Sequence, residues 1–237
     1  MEEDLRPISL TAQIGKLMEG FVLKSLLSEV ADKLDKKQFA LPTKSTTQAL
    51  VYFIHLIYAG LDKGNSSVRL FFADFRKGFD LVDHNVIIAE LGNLGVQPII
   101  IRWIRSFLTS REQCVKIDSC KSSWKKFNGG LPHATKLGPF LFAILVNSLL
   151  IHWQGRIKFV DETSVLEVTP RFSPSLLPIA VKDIAEFAAS RGMELNSKKC
   201  KEMMVSFLKY DLTRANSIYI SGLPEERVSS YKRLGVI

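Results

Sequence analysis

Three acidic residues stand where apolar runs end. Residues 68–73 (Val-Arg-Leu-Phe-Phe-Ala) read as a buried strand that runs into Asp74. Residues 156–160 read as a second strand, interrupted by Asp161-Glu162 and continued over residues 165–168, a hairpin with two acids at its turn. If those strands are neighbours, three carboxylates converge on one point. Carboxylates held that close repel one another, and one takes up a proton unless a cation neutralises them. A small set of oxygen donors suits Mg²⁺, which keeps water and takes further ligands from substrate phosphates. Two such ions about 3.5–4 Å apart stabilise both oxygens of an in-line phosphoryl displacement.

A second feature is the placement of positive charge. The chain has 32 Lys+Arg against 24 Asp+Glu, and six of the eight net positive charges lie within residues 101–150. There Arg102, Arg105, Arg111, Lys116, Lys121, Lys125, Lys126 and Lys136 face only Glu112 and Asp118, with Trp103, Phe107, Trp124 and Phe127 interleaved. Basic residues track a phosphate backbone and aromatic rings stack on bases. A solvated basic face with its aromatics turned inward is the equal alternative.

Several elements must position these groups. Ile14, Leu17, Met18, Phe21, Val22, Leu26, Leu27 and Val30 recur at helical spacing and predict an amphipathic helix over residues 14–34. A Lys/Pro/Ser/Thr-rich loop leads to a helix over residues 46–61, stopped by Lys63-Gly64-Asn65. Asp83 reads as the N-cap of a helix ended by Gly95, and Pro98 as the first-turn proline of the next, over residues 99–108. A strand over residues 113–117 pairs with residues 124–127. A buried apolar helix spans 139–153, and a helix over 179–191 ends at Gly192. Helices interspersed with hairpin-connected strands predict an α+β architecture with an antiparallel sheet covered on one face.

Composition bounds the rest. With 237 residues, 46% of them hydrophobic, the chain can bury a sizeable core as one large domain or two small ones. Cys114, Cys120 and Cys200 are too few for a disulfide framework and lack zinc-site spacing. The start, Met-Glu-Glu-Asp-Leu-Arg, lacks the order of a signal peptide, and the most apolar stretch is shorter than the ~20 residues that span a bilayer. The expectation is an intracellular protein of nucleus or cytoplasm, neither secreted nor membrane-bound. Nothing in the sequence fixes its oligomeric state.

The segment Phe72-Ala73-Asp74-Phe75-Arg76-Lys77-Gly78-Phe79-Asp80-Leu81-Val82-Asp83-His84 is more specific. It resembles motif A of the reverse transcriptases of non-LTR (LINE-type) retrotransposons. The rest follows in that family's order. Arg6-Pro7-Ile8-Ser9-Leu10 is similar to the start of the fingers, and residues 38–47 to the template-side loop. Gly130-Leu131-Pro132 with Leu137-Gly138-Pro139 is similar to motif B, and Phe159-Val160-Asp161-Glu162 to motif C. Gly192-Met193-Glu194-Leu195-Asn196 through Lys199 resembles motif D, and Tyr231-Lys232-Arg233-Leu234-Gly235-Val236 the primer grip.

The resemblance implies a right-hand polymerase of fingers and palm that copies RNA into DNA, with an antiparallel palm sheet packed on helices. Its parts would be fingers-like residues 1–66, a palm with inserted helical elements over 67–225, and the start of the primer grip at 226–237. By the same resemblance Asp74 and Asp161, assisted by the Phe75 carbonyl, would hold two Mg²⁺ ions, with Glu162 as a further catalytic acid. Phe79 would be the steric gate that rejects a ribose 2′-hydroxyl by a clash. Gly130, Pro132 and His133 would line the nucleotide pocket, and Lys199 would approach the triphosphate. Lys121, Lys125, Lys126, Leu234 and Gly235 would hold nucleic acid. The implied partners are an RNA template, a DNA primer and deoxynucleotides.

The chain departs from the family pattern at three places. Motif B has His133 and Ala134 where the family has glutamine and glycine, an imidazole and an added methyl at the nucleotide pocket. Motif C ends Asp161-Glu162 instead of Asp-Asp, and Ala40-Leu41-Pro42-Thr43 replaces the usual glycines of the template-side loop. The sequence stops at Ile237 as the primer grip begins, and no endonuclease precedes Met1. Together these features predict a truncated, partly degenerate copy without a thumb, its catalysis weak or lost. The alternative reading is a non-catalytic nucleic-acid-binding remnant.

Overall fold

The computed structural model describes residues 11–127, 129–208, 216–220 and 222–234. The predicted fingers start at 6–10, and Gly235 and Val236 of the predicted primer grip, lie outside these residues. In chain order the elements begin with α1 (Gln13–Val30), α2 (Thr46–Leu61), β1 (Ser66–Ala73), β2 (Phe75–Arg76), α3 (His84–Asn93) and α4 (Pro98–Leu108). Two short hairpins follow, built from β3 (Arg111–Gln113), β4 (Lys116–Ile117), β5 (Cys120–Lys121) and β6 (Lys125–Phe127), and then α5 (Leu137–Leu145). The remainder comprises β7 (Arg156–Phe159), β8 (Glu162–Pro170), α6 (Leu177–Ser190), β9 (Glu194–Leu195), β10 (Lys201–Val205), β11 (Tyr219–Ile220), β12 (Leu223–Pro224) and β13 (Arg227–Val228).

These elements form two compact units. One joins the described residues up to Leu34 with Lys77–Leu145; the other joins Asp35–Arg76 with the described residues from Val146 onward.

The first unit is helical, with α3 packed on α4 and α5, and α1 on α4 and α5. Asp83 caps α3 by accepting the Asn85 N–H at 2.8 Å, and Pro98 opens α4. The start of α5 is satisfied from far away. Buried Glu19 on α1 accepts the Lys136 and Leu137 N–H groups at 2.7 and 3.3 Å, a carboxylate placed where unpaired helix donors and the helix dipole favour it. Two expectations need correction here. The apolar stripe on α1 is only partly buried: Leu26 and Val30 are inside, whereas Ile14, Leu17, Met18 and Phe21 face outward among the described residues. The strand expected over residues 113–117 is two strands. β3 pairs with β6 in the register Arg111↔Phe127, and β4 with β5, around Asp118 at φ +51°.

The second unit is built on a five-stranded sheet of order β13-β10-β1-β8-β7. The centre is antiparallel, but the edge strand β13 runs parallel to β10, which a purely antiparallel reading misses. Nor is the sheet covered on one face only. Val68, Leu70 and Phe72 of β1 pack with Phe39, Phe53 and Leu61 on the α2 side. The alternation of a strand sends Arg69 and Phe71 to the other face, where α6 packs. A strand buried on both faces reads as a nearly continuous apolar run, as β1 does. Arg69 is accommodated inside by Glu202, Nε to Oε1 at 2.7 Å, and Arg227 reaches the same carboxylate at 3.1 Å.

The apolar helix expected over residues 139–153 ends at Leu145. Beyond it the Val146 and Asn147 carbonyls accept the buried Lys158 ammonium at 2.9 and 2.7 Å, and the Asn147 side chain accepts the Asp35 N–H at 2.7 Å. Apolar character alone gives no sign of those polar commitments. Among the described residues no helix is long and apolar enough to cross a membrane.

Candidate active site

The β1–β8 register decides whether the carboxylates meet. The pairing ends at Ala73↔Thr163, so one step further Asp74 comes level with Glu162, at the end of the sheet where the β7–β8 turn carries Asp161. Asp74 is half-buried, Asp161 exposed and Glu162 half-buried. Burial, together with the Asp161 and Asp74 charges, pushes the Glu162 carboxyl above its ordinary value, against the pull of the Arg233 guanidinium and a hydrogen bond from the Leu234 N–H. That mutual repulsion marks three acids gathered at one sheet end. Val160, in the turn before Asp161, sits at φ +53°, a costly conformation for a β-branched residue and of the kind found at functional sites.

The Asp74 backbone is pinned from motif D. Its carbonyl accepts the Asn196 N–H at 2.8 Å, and its N–H points at the Cys200 sulfur at 3.4 Å. Cys200 is fully buried and burial pushes its thiol up to about 12, so it acts as packing, not as a nucleophile. Phe75 is buried in β2, paired with Leu195 of β9. Lys199 lies exposed in the turn closed by its own N–H to the Asn196 carbonyl at 2.9 Å.

The donor set fits a hard cation. Asp74 and Asp161 offer carboxylate oxygens only, and a divalent ion relieves the repulsion felt by Glu162. Among the described residues no three His, Cys, Asp or Glu side chains are grouped so as to hold a metal ion together. An open seat of two acids is what Mg²⁺ takes when substrate phosphates complete its shell.

The predicted nucleotide-pocket residues other than Lys199 lie in the helical unit. Gly130 sits at φ +74°, and a Cβ there would meet the Asp80 carbonyl oxygen at 2.6 Å and the Phe79 carbonyl oxygen at 2.8 Å. The close approach is locked by the Gly130 N–H to Val82 O (2.9 Å), the Leu131 N–H to Phe79 O (2.6 Å) and His84 Nε2 on Gly130 O (2.6 Å). Pro132 is buried, and its carbonyl accepts the Thr135 hydroxyl at 2.8 Å. Phe79 is half-buried, stacked between Phe142 and His133. His133 does not stand free: Nε2 lies 2.9 Å from Asp80 Oδ1.

Ala134 has φ +55°, a left-handed conformation that suits glycine. A Cβ in that region costs about 1 kcal/mol or more. Ala134→Gly is therefore expected to stabilise the chain by roughly 0.5–1 kcal/mol, measured as a higher denaturant midpoint at unchanged slope. An unchanged or lowered midpoint would mean that this turn is not left-handed in solution.

Of the predicted nucleic-acid contacts, Lys121 is exposed on β5 and Lys125 and Lys126 on β6, with exposed Trp124 between the two strands in sequence. Leu234 is half-buried at φ +49° and packs against the sheet core. Sequence reasoning missed Asp80, Cys200, Asn196 and Arg233. Their roles depend on partners far along the chain, such as His133, 53 positions after Asp80, so no local spacing announces them.

The chain matches the family described as Reverse transcriptase (RNA-dependent DNA polymerase) over residues 2–237. It is 25% identical to the RNA-directed DNA polymerase from mobile element jockey of Drosophila funebris, over 99% of this chain and 27% of that protein. It is 23% identical to the Retrovirus-related Pol polyprotein from type-1 retrotransposable element R2 of Popillia japonica, over 85% of this chain and 30% of that protein. The chain thus spans under a third of the length of these relatives. In fold it is similar to telomerase from Candida tropicalis, solved with a fragment of telomeric RNA, at a TM-score of 0.60 and 15% identity, covering 90% of this chain and 36% of that one. The chain belongs to the reverse transcriptase (RNA-dependent DNA polymerase) family, in its LINE-type retrotransposon branch.

Proposed function

We propose that this chain supplies the nucleotidyl-transfer centre of an RNA-directed DNA polymerase, extending a DNA primer on an RNA template. The observation that carries this reading is the placement of Asp74, Asp161 and Glu162 at one end of adjoining strands. In the reaction the primer 3′-oxygen forms a bond to the α-phosphorus of a deoxynucleoside triphosphate and pyrophosphate leaves. Asp74 and Asp161, with the Phe75 carbonyl, hold the cation site. Bound there, a pair of Mg²⁺ ions supplies charge stabilisation for the attacking and leaving oxygens. Glu162, which accepts the Leu234 N–H and faces the Arg233 charge, acts on the position of the primer-grip segment more than on the cations. Lys199 offers an exposed cation to the departing pyrophosphate, and the Phe79 ring excludes a 2′-hydroxyl. Primer extension on a primed RNA template with Mg²⁺ and deoxynucleotides tests the reading, with Asp74→Ala as control. Extension that survives the control, or none from the parent chain, counts against it.

A second reading, nucleic-acid binding without synthesis, draws on the exposed Lys121, Lys125 and Lys126 and on the altered motif B. It is separated from the first by binding that survives Asp74→Ala in a chain that does not extend primers. In either case Lys125→Gln/Lys126→Gln is expected to weaken primer–template binding roughly tenfold near 0.1 M salt and to lower the log–log salt slope by up to about 2. Fluorescence anisotropy across a salt series checks this. An unchanged slope removes the β6 lysines from the interface.

A further inference from the structure

We infer that His133 and Asp80 form a clamp that fixes the Phe79 ring, making His133 a positioning residue for sugar discrimination. The inference rests on the proposed function and adds to it the means by which the gate is held. Phe79 has an aromatic partner on each side. Phe142 lies at a centroid distance of 5.1 Å and an interplanar angle of 6°, and His133 at 5.6 Å and 29°. Phe142 is fully buried on α5 and cannot yield, so the freedom left to the half-buried Phe79 ring is on the His133 side. His133 is held there by the hydrogen bond from Nε2 to Asp80 Oδ1 at 2.9 Å.

Both ends of this clamp are anchored by backbone. Asp80 sits in a turn whose N–H donates to the Lys77 carbonyl at 2.8 Å, and the Phe79 carbonyl is fastened by the Leu131 N–H. On the other side the Thr135 hydroxyl bonds Pro132 O and accepts the Gly138 N–H at 3.1 Å, so the turn carrying His133 is closed on itself. Buried Glu19 secures the next two N–H groups. A surface histidine with no task would not need an aromatic face on one side and a carboxylate on the other, each on a fixed loop. Loss of the clamp frees Phe79 to rotate away from the space a 2′-hydroxyl would enter. The effect falls on the choice between sugars, not equally on all nucleotides.

The test uses the full chain on a dideoxy-terminated DNA primer annealed to RNA. The affinities of dGTP and GTP opposite a templating cytosine are measured by nucleotide-dependent retention of the complex against competitor. In the parent chain dGTP binds more tightly. His133→Leu and Asp80→Ala are each expected to lower the dGTP:GTP ratio about three- to tenfold, with the double variant no worse than either. His133→Gln, which can still donate to Asp80, retains more of the ratio. A histidine with a purely structural role would weaken both nucleotides alike and leave the ratio unmoved. If Phe79→Val abolishes discrimination while His133→Leu keeps the parent ratio, the clamp is wrong and the function stands. If the parent chain holds neither nucleotide, or Phe79→Val leaves the ratio unchanged, the reading of the pocket fails and the clamp with it.

Discussion

Asp74→Ala is expected to reduce primer extension at least a thousandfold, a loss of about 4 kcal/mol or more of transition-state stabilisation. The size follows from what remains at the sheet end. Without Asp74, the exposed Asp161 is left with Glu162, whose carboxylate accepts the Leu234 N–H and feels the Arg233 charge. One solvated carboxylate does not retain a divalent ion that dehydrates reluctantly. The fold should survive. Backbone contacts hold this stretch, from the Asn196 N–H to the Asp74 carbonyl and from the Asp74 N–H to the Cys200 sulfur, and neither uses the carboxylate.

A second readout does not depend on catalysis. In the parent chain Mg²⁺ is expected to stabilise the folded state by binding to it, by about 2.7 kcal/mol at a hundred times the dissociation constant. In Asp74→Ala that dependence is lost, while the metal-free variant is as stable as the parent or more so, because one of the charges repelling Glu162 has gone. Thermal or denaturant unfolding with MgCl₂ against EDTA measures both. A variant that keeps the Mg²⁺ shift would place the cation elsewhere, whatever the extension assay shows.

The parts of this site that were legible in the sequence are those where a local rule and the fold agree. An apolar run ending in Asp74, and a hairpin turn holding Asp161, define strand ends from composition alone, and the β1–β8 pairing joins them. Asp83 as a cap, Pro98 in a first turn and Gly192 at φ +71° after α6 follow from backbone chemistry within a few residues. What was not legible is set by partners distant in sequence. Glu19 looks like a surface position on an amphipathic helix, yet it is buried because α5, 117 residues later, needs an acceptor for its first donors. The apolar helix stops at Leu145 because the following carbonyls are claimed by Lys158. The parallel β13 has only two residues and no pattern of its own; its place comes from the Glu202↔Arg227 pairing. Asp80 lies inside the motif A segment with nothing local to mark it, and is the partner of His133.

The largest stability effect is expected at Asp35, whose carboxylate is 1% exposed amid two cations. Arg156 grips it with two nitrogens, Nε to Oδ2 and Nη2 to Oδ1, both at 2.7 Å; Lys158 reaches Oδ2 at 2.9 Å, and the Lys37 N–H reaches Oδ1 at 3.0 Å. Burial by itself would raise this carboxyl, but the Arg156 hydrogen bonds, the Lys158 charge and the Lys37 N–H hold it well below the usual carboxylate range. Burial pulls Lys158 down to about 8 in spite of Asp35. Asp35→Ala removes the anion that Arg156 and Lys158 share and leaves two buried cations facing one another, a loss of about 3–5 kcal/mol near neutral pH. The sign of its pH dependence follows from the two groups. Asp35 has a depressed folded pKa, so its contribution is present above the unfolded carboxylate value and fades as pH falls toward the folded one. In the variant Lys158 loses its attraction and titrates below about 8, while Arg156 keeps its charge. The deficit against the parent therefore narrows as pH rises toward about 8 and levels off above it, by more than ~1 kcal/mol between pH 6.5 and 9.5, and a remainder due to Arg156 persists. Denaturant unfolding of both proteins at those two pH values reads it directly. A deficit that stays constant with pH would show that Lys158 is not charged against Asp35, and one under about 1 kcal/mol would show that the cluster is open to water.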